Sequence, residues 1–251
     1  VRERHVKVIR RLTGGGAVYH DMGNLNFSFI VNQKNCQDID FYTFTSIIVK
    51  ALQQLKIQAE TNGRNDILVA GKKISGNAQC IKNNRILHHG TLMFQSDLNV
   101  LTQALKVSEK KIHSKGIGSV KSRVGNICDF LEEPMTMREF KQYLLTYLSH
   151  STEMIPYKLN AEDVEKIYKI KETVYDTWAW NYGHSPKYNL IKNRRFEKCG
   201  EISAYLYLEQ GKIQEIQLYG DFFGKKDVSE LTRILEQSEF SLQGLTGALK
   251  E

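Results

Sequence analysis

The stretch Arg10-Arg11-Leu12-Thr13-Gly14-Gly15-Gly16-Ala17-Val18-Tyr19-His20-Asp21 sets three consecutive glycines between an arginine pair and a His-Asp pair. Glycine has no Cβ, so such a turn reaches positive φ and lets a ligand approach the backbone closely. Successive amide N–H groups in it form a concavity suited to anions. The guanidinium groups of Arg10 and Arg11 can fork onto a carboxylate or a phosphate. A glycine turn alone is more often a structural hairpin, and the flanks make this one a candidate anion site.

Working outward, the chain has 251 residues, enough for one large domain or a large domain with a small appendage. Hydrophobic residues at 41% and charged residues at 25% fit a globular class. No apolar run approaches the roughly 20 residues that cross a bilayer. Cys36, Cys80, Cys128 and Cys199 are scattered with no CxxC pair, which argues against a disulfide framework or zinc site and fits a reducing cytoplasm. The formal charge of +7 suits nucleic acid, an anionic nucleotide or an acidic protein partner. The basic residues are spread along the chain and no nucleic-acid module is visible. Val1-Arg2-Glu3-Arg4-His5 reads as the end of a helix, so an N-terminal portion is expected to be missing.

Periodicity predicts strands over Val6–Ile9, Asn26–Val31, Ile57–Glu60, Asp66–Val69, Lys73–Gln79 and Ile86–Phe94. An amphipathic helix is predicted over Phe41–Leu55. Another begins at Thr136, with Glu139 closing a capping box. A third follows Asn160 and carries Val164, Ile167, Ile170, Val174, Tyr175 and Trp178 on one side. Asn181–Pro186 reads as a break and linker. A hairpin then turns at Gln210-Gly211, and a last helix runs from Asp227 to Phe240. The fold class expected is α/β, an α+β mixed sheet. The expected domains are 1–180, a linker at 181–190, and a small α+β unit at 191–251 that is possibly truncated.

Further polar islands interrupt this scaffold: Gly23-Asn24-Leu25-Asn26, Gly63-Arg64-Asn65-Asp66, Gly71–Gln79, His88-His89-Gly90-Thr91 and Lys115–Arg123. Basic groups and amides recur beside glycines, as phosphate and carboxylate recognition requires. Asp66 can hold a divalent ion on a phosphate, or simply cap its strand. Lys73 is followed by Ser75-Gly76, which leaves space beside its ammonium. Lys72 reads as solvated, and His20 is as well suited to a structural role. His88 and His89 are adjacent, so in a strand they face opposite sides and cannot chelate one ion. Trp178 and Trp180 read as packing aromatics. The serines have no His/Asp partner at a recognisable spacing, and GxxxxGK[ST] is absent.

Together the islands resemble the lipoate–protein ligase A family, within the biotin/lipoate ligase superfamily. The matching residues are Arg10–Asp21, Gly23-Asn24, Gly63-Arg64-Asn65-Asp66, Lys73-x-Ser75-Gly76-x-Ala78, His88–Leu92 and Lys115-Gly116-Ile117 through Ser122-Arg123-Val124. Trp178-x-Trp180-Asn181-x-Gly183 is similar to the family's boundary before its accessory domain. The resemblance implies a catalytic lipoate/ATP-binding domain shared in fold with biotin ligases, and a small C-terminal accessory domain. It implies ATP-dependent activation of lipoate to lipoyl-AMP and transfer to a lysine of lipoyl domains. Those domains belong to 2-oxo acid dehydrogenase acyltransferase subunits and the glycine cleavage H protein.

By the same resemblance, Lys73 is the catalytic lysine. Arg10, Arg11, Gly14, Gly15, Gly16, Ala17, Val18 and His20 form the lipoate/phosphate loop. Asn24, Asn65, Asp66, Lys73, Ser75, Gly76, Ala78, Thr91 and Ser122 bind nucleotide, with Mg²⁺ at Asp66. Lys115–Arg123 matches the loop that covers the adenylate. A cytoplasmic monomer without nucleic-acid or membrane partners is implied. Two alternatives remain. One is a transferase of the same superfamily that moves octanoyl or lipoyl through a cysteine thioester, for which Cys80 is the candidate. The other is a non-catalytic relative that holds a ligand or nucleic acid.

Overall fold

Asn24, Asn26 and Ser28 alternate with Leu25, Phe27 and Phe29, and the first strand, β1 (Asn24–Asn32), turns these two sets to opposite sides. The structure, a computed structural model, describes residues 6–32, 40–62, 65–105, 123–151, 153–183, 187–197, 199–222 and 227–250. The chain divides into two units, one spanning Ala17–Ile155 and the other joining Val1–Gly16 to Pro156–Glu251.

In the first unit β1 is followed by α1 (Phe41–Gln54), β2 (Ala59–Thr61), β3 (Asp66–Val69), β4 (Lys72–Lys82) and β5 (Arg85–Met93). The strands form an antiparallel five-stranded sheet in the order β1-β5-β4-β3-β2. Its tight hairpins follow from local chemistry. Ala70 and Gly71 have φ of 49° and 73°, and Asn83 and Asn84 have 52° and 56°. Two successive residues at positive φ match the twist of paired strands, and Gly and Asn tolerate that region best. The Asp40 carboxylate caps α1, accepting from the amides of Tyr42 and Thr43 at 2.8 and 3.2 Å. The hydrogen bond from the Thr43 hydroxyl, with those amides, holds its pKa below the usual carboxylate range despite partial desolvation.

α2 (Leu98–Ala104), a 3₁₀ turn (Ile127–Phe130) and α3 (Met137–Ser151) complete the unit. The capping box expected at α3 is present. Thr136 N donates to Glu139 Oε2 at 2.7 Å, and Glu139 N donates to Thr136 Oγ1 at 3.3 Å. α1 and α3 cover one side of the sheet. Ile48, Leu52, Ile67, Ile74, Leu92, Phe94, Phe140 and Leu144 are buried together there. Each such side chain contributes about 1.5–3 kcal/mol on burial. Phe94 stacks on Phe140 with centroids 4.6 Å apart.

The second unit contains α4 (Ala161–Ile170), π-helical turns at Lys171–Tyr175 and Ala179–Gly183, and a three-stranded antiparallel sheet. Its strands are β6 (Leu190–Phe196), β7 (Gly200–Glu209) and β8 (Lys212–Gly220), in that order. β7 and β8 make the hairpin expected at Gln210-Gly211, with φ of 49° and 76° at the turn. α5 (Val228–Leu235) and α6 (Leu242–Ala248) follow, and Leu206, Ile213, Ile216 and Leu235 form the core.

Some expectations need correction. Val6–Ile9 forms no strand, and Val8 and Ile9 stay exposed. Asn181 does not break the helical path. Its side-chain amide donates to the carbonyls of Tyr175 and Thr177 at 2.7 and 3.1 Å, supporting a π turn instead. The last predicted helix ends at Leu235 rather than Phe240, because Gln237 takes φ of 66° and donates its N–H to Ile213 O. α2, β6 and α6 were not expected. The helix end read at Val1–His5 lies outside the described residues, as do Gly63, Arg64, residues 115–122 and most of the Asn181–Pro186 break beyond Gly183.

Candidate active site

Register fixes what shares the side of the five-stranded sheet away from α1 and α3. Asn26 pairs with Thr91, Ser28 with His89, His89 with Ala78, and Asp66 with Gly76. The intervening residues Phe27, Gly90, Asn77, Phe29, His88 and Gln79 face the helices, because strand side chains alternate. The side away from the helices therefore gathers Asn24, Asn26, Asp66, Gly76, His89 and Thr91.

Lys73 joins this group through a bulge. The register steps from Ile67↔Ser75 to Leu68↔Lys73, so β4 carries one extra residue there. Without it Lys73 and Gly76, three positions apart, would face opposite sides. With it, the Lys73 ammonium lies 2.6 Å from Asp66 Oδ1. A Cβ on Gly76 would come within 2.9 Å of that nitrogen, so the glycine makes the room the ammonium occupies. The Lys73 side chain keeps 37% exposure, enough for a ligand to reach it. Its backbone is held by Gly125 N, which donates to Lys73 O at 3.0 Å, beside the Lys73–Val124 bridge.

The neighbouring polar groups are ordered by one another. Asn24 Nδ2 lies 2.9 Å from His20 Nδ1 and donates to Asn26 Oδ1 at 3.0 Å. Gly76 N donates to Thr91 Oγ1 at 3.4 Å. Asn65 is occupied structurally: its amide donates to Asn77 O at 2.8 Å, and Asn77 Nδ2 donates to Asn65 O at 2.9 Å. Ser75 stands apart, fully buried on the helix side, where it accepts from Asn77 Nδ2 at 3.2 Å. Ala78 is buried two residues beyond Gly76 on the same side as His89. Ser122 lies outside the described residues.

His88 and His89 do face opposite sides. His88 stacks on Phe44 at 4.7 Å and accepts at Nδ1 from Gln79 Nε2 at 2.7 Å. Burial, reinforced by the nearby His89, pushes its pKa down to about 4, so it is neutral at pH 7. Among the described residues no three His, Cys, Asp or Glu side chains gather as a metal cage. Asp66 is a single carboxylate, and one or two carboxylates plus substrate phosphates are the usual protein share of a Mg²⁺ site.

Ala17 and Val18, the latter exposed, belong to the Lys73 unit, whereas Arg10, Arg11 and the three glycines belong to the other. There Arg11 closes its own turn: Nη2 donates to Gly14 O at 2.7 Å and Gly16 O at 2.9 Å, and Nε donates to Thr13 Oγ1 at 3.1 Å. Desolvation lowers its pKa. Gly15 has φ of 104°, and a Cβ on it would meet Arg11 Nη2 at 2.8 Å. Its N–H donates to Gly220 O at 3.2 Å. Arg10 is a structural bracket, with Nε donating to Trp180 O at 3.0 Å while Trp180 Nε1 donates to Arg10 O at 2.9 Å. Asn77, which the sequence alone does not single out, fixes the arch bearing Asp66. Its only signal was an Asn inside a run of small residues.

The lipoyl protein ligase A/B catalytic domain family matches residues 1–149, and the bacterial lipoate protein ligase C-terminus family matches residues 185–251. Lipoate-protein ligase LplJ of Bacillus subtilis (strain 168) is 46% identical over 253 residues, covering 100% of this chain and 76% of the relative. Lipoate–protein ligase 1 of Staphylococcus aureus is 47% identical, covering 98% of this chain and 75% of the relative. Among solved structures, P. falciparum LipL1 in complex with lipoate superposes with a TM-score of 0.76 at 25% identity, over 100% of this chain and 73% of that one. A lipoate-protein ligase A bound with ATP gives a TM-score of 0.60 at 28% identity, over 72% and 74% of the two chains. A bipartite ligase from Thermoplasma acidophilum, described with its E2 lipoyl domain, gives 0.61 at 28% identity, over 75% of each chain.

Proposed function

This chain belongs to the lipoate–protein ligase family, and on that premise we propose that it activates lipoate with ATP and passes the lipoyl group to a lysine of an acceptor lipoyl domain. The first step joins a lipoate carboxylate oxygen to the α-phosphorus, and pyrophosphate leaves. In the second, the acceptor amine attacks the acyl carbon and AMP leaves with the bonding electrons.

The observation that carries this reading is the Lys73 ammonium, half-exposed on a polar sheet face with Gly76 beneath it and Asp66 at its side. An ammonium there can hold the lipoate carboxylate and an α-phosphate oxygen together and offset charge that grows in both transition states. Asp66 orients the ammonium until ligand oxygens replace it. Mg²⁺ at Asp66 would neutralise phosphate charge, with Asn65 fixing the arch. Asn24, Gly76, Ala78 and Thr91 border the nucleotide. Arg11, holding Gly14–Gly16 in a turn, preserves the loop that serves lipoate and phosphate, together with Ala17, Val18 and His20.

In this reading residues 1–180 carry the chemistry, 181–190 link, and 191–251 act as the accessory domain, a functional division that differs from the two compact units, where 1–16 and 156–180 go with the C-terminal part. The acceptors are the lipoyl domains of 2-oxo acid dehydrogenase complexes and the glycine cleavage H protein. The enzyme works as a cytoplasmic monomer. Among the described residues no helix is long and apolar enough to cross a membrane.

Incubating the chain with ATP, Mg²⁺, lipoate and an apo lipoyl domain tests the reading, with pyrophosphate release and a lipoyl mass increment as readouts. Cys80 lies two residues beyond Ala78 on the same side of β4, which favours one second reading, transfer through a thioester. Acyl-Cys80 formed from an octanoyl carrier without ATP would establish it instead.

A further inference from the structure

Among the described residues of the second unit one sheet edge is open: β6 is hydrogen-bonded to β7 on one side only, and its pairing runs from Leu190 to Phe196 without a register shift. Alternate residues of such an edge direct their N–H and C=O groups outward, ready to pair with another strand. Edges are commonly blunted by a bulge, a proline or charge. β6 has only charge, and of one sign: Lys192, Arg194 and Arg195 are all exposed, with no carboxylate in the strand. Among the described residues none of these cations has an ion-pair partner. Arg194 rests over the Phe196 ring, 5.1 Å from its centroid, which keeps the guanidinium extended along the edge.

These features select what can pair there. A second copy of this chain would bring the same cations into register and be repelled. Nucleic acid would satisfy the charges but not the backbone ladder. An extended peptide segment with carboxylates satisfies both. We propose that β6 is the docking edge for the acceptor protein, which adds an acidic strand alongside Leu190–Phe196. The inference rests on the ligase reading above. Lys192 and Arg194 lie on one side of the sheet and Arg195 on the other. The incoming strand therefore needs acidic residues two apart opposite the first pair, and one at the next position beyond, opposite Arg195.

The experiment is a titration of an apo lipoyl domain bearing an acidic surface strand against the full chain and its K192E/R194E/R195E variant. The variant is expected to bind at least about tenfold more weakly, since complementary rim charges govern encounter. Pyrophosphate release from ATP and lipoate is expected to be unchanged, which also shows that the variant is folded. Converting the acceptor's carboxylates to amides should reproduce the loss. Equal affinity in the two chains overturns the proposal. So does a parent chain that ignores the lipoyl domain yet binds duplex DNA through these residues. A parent that binds the domain through β6 but releases no pyrophosphate refutes the ligase reading and leaves the docking edge standing.

Discussion

Asp66 Oδ1 meets the Lys73 ammonium at 2.6 Å although their strands bring different register positions together, and the link is the extra residue that β4 inserts beside Ile67. That residue, Ile74, is fully buried in the core, so packing on the helix side fixes chemistry on the other. A pair this exposed adds at most about 1 kcal/mol to stability, and its value lies in positioning.

Lys73→Ala should therefore leave folding nearly intact and lower the rate of pyrophosphate release by about 10²–10³, the usual scale for removing one charge-stabilising donor. Lys73→Arg should not restore it, because a planar fork cannot replace a compact ammonium. Near-normal release from the alanine variant would remove Lys73 from the mechanism.

Gly76→Ala separates space from charge. The added methyl would sit 2.9 Å from Lys73 Nζ and 3.0 Å from Cε, both at the flexible end of a side chain. The expected outcome is a melting temperature close to the parent's with activity down about tenfold or more, since displacements of up to 1 Å can cost up to about 10²-fold. Unchanged kcat with an unchanged structure would show that the ammonium has room to spare.

Gly15→Ala acts on the glycine turn. Alanine at φ of 104° is strained, and its Cβ would strike Arg11 Nη2. Arg11→Ala removes the hydrogen bonds that close the turn without adding strain. Both should raise the KM for lipoate or ATP, and amide exchange at Gly14–Gly16 should quicken in the arginine variant. A KM unaffected by either variant would separate the turn from ligand binding.

His88 predicts an acid-sensitive fold. In the unfolded chain it takes up a proton near its ordinary pKa of 6.5, and in the folded chain only near 4. Between those values the unfolded state binds more protons, so stability rises with pH and is lost as pH falls from about 6.5 to 4. At 1.36 kcal/mol per pKa unit the loss approaches about 3 kcal/mol. Urea unfolding at pH 7 and pH 5 should show it, and His88→Phe should flatten the slope while losing the Gln79 contact. An equal slope in both proteins would place the acid sensitivity elsewhere.

Much of this is legible in the sequence. The β-formers of Asn26–Val31 and the Phe41–Leu55 spacing predicted β1 and α1, and Thr136 with Glu139 announced the start of α3. Lys-Ile-Ser-Gly at 73–76 was harder. Strict alternation would put Lys73 beside Ser75 and turn Gly76 away, and the bulge reverses this, so Ser75 is buried while Gly76 adjoins the ammonium. Val6–Ile9 has β-forming residues but takes up no strand pairing, and Val8 and Ile9 stay exposed. Arg11 looked like a ligand fork and spends its donors on its own turn, a choice composition cannot reveal. β6 escaped notice because its alternation is among cations rather than apolar residues.

The bracket between Arg10, Trp180 and Asn181 spans about 170 positions of sequence within one unit. A ribosome releases the arginine long before either partner exists. The Ala17–Ile155 unit is continuous and can fold while synthesis proceeds, but the glycine turn must wait for the far end of the chain to emerge. Trp180 thus gives assembly a natural order, with a Lys73 unit that forms early and a glycine turn that matures last.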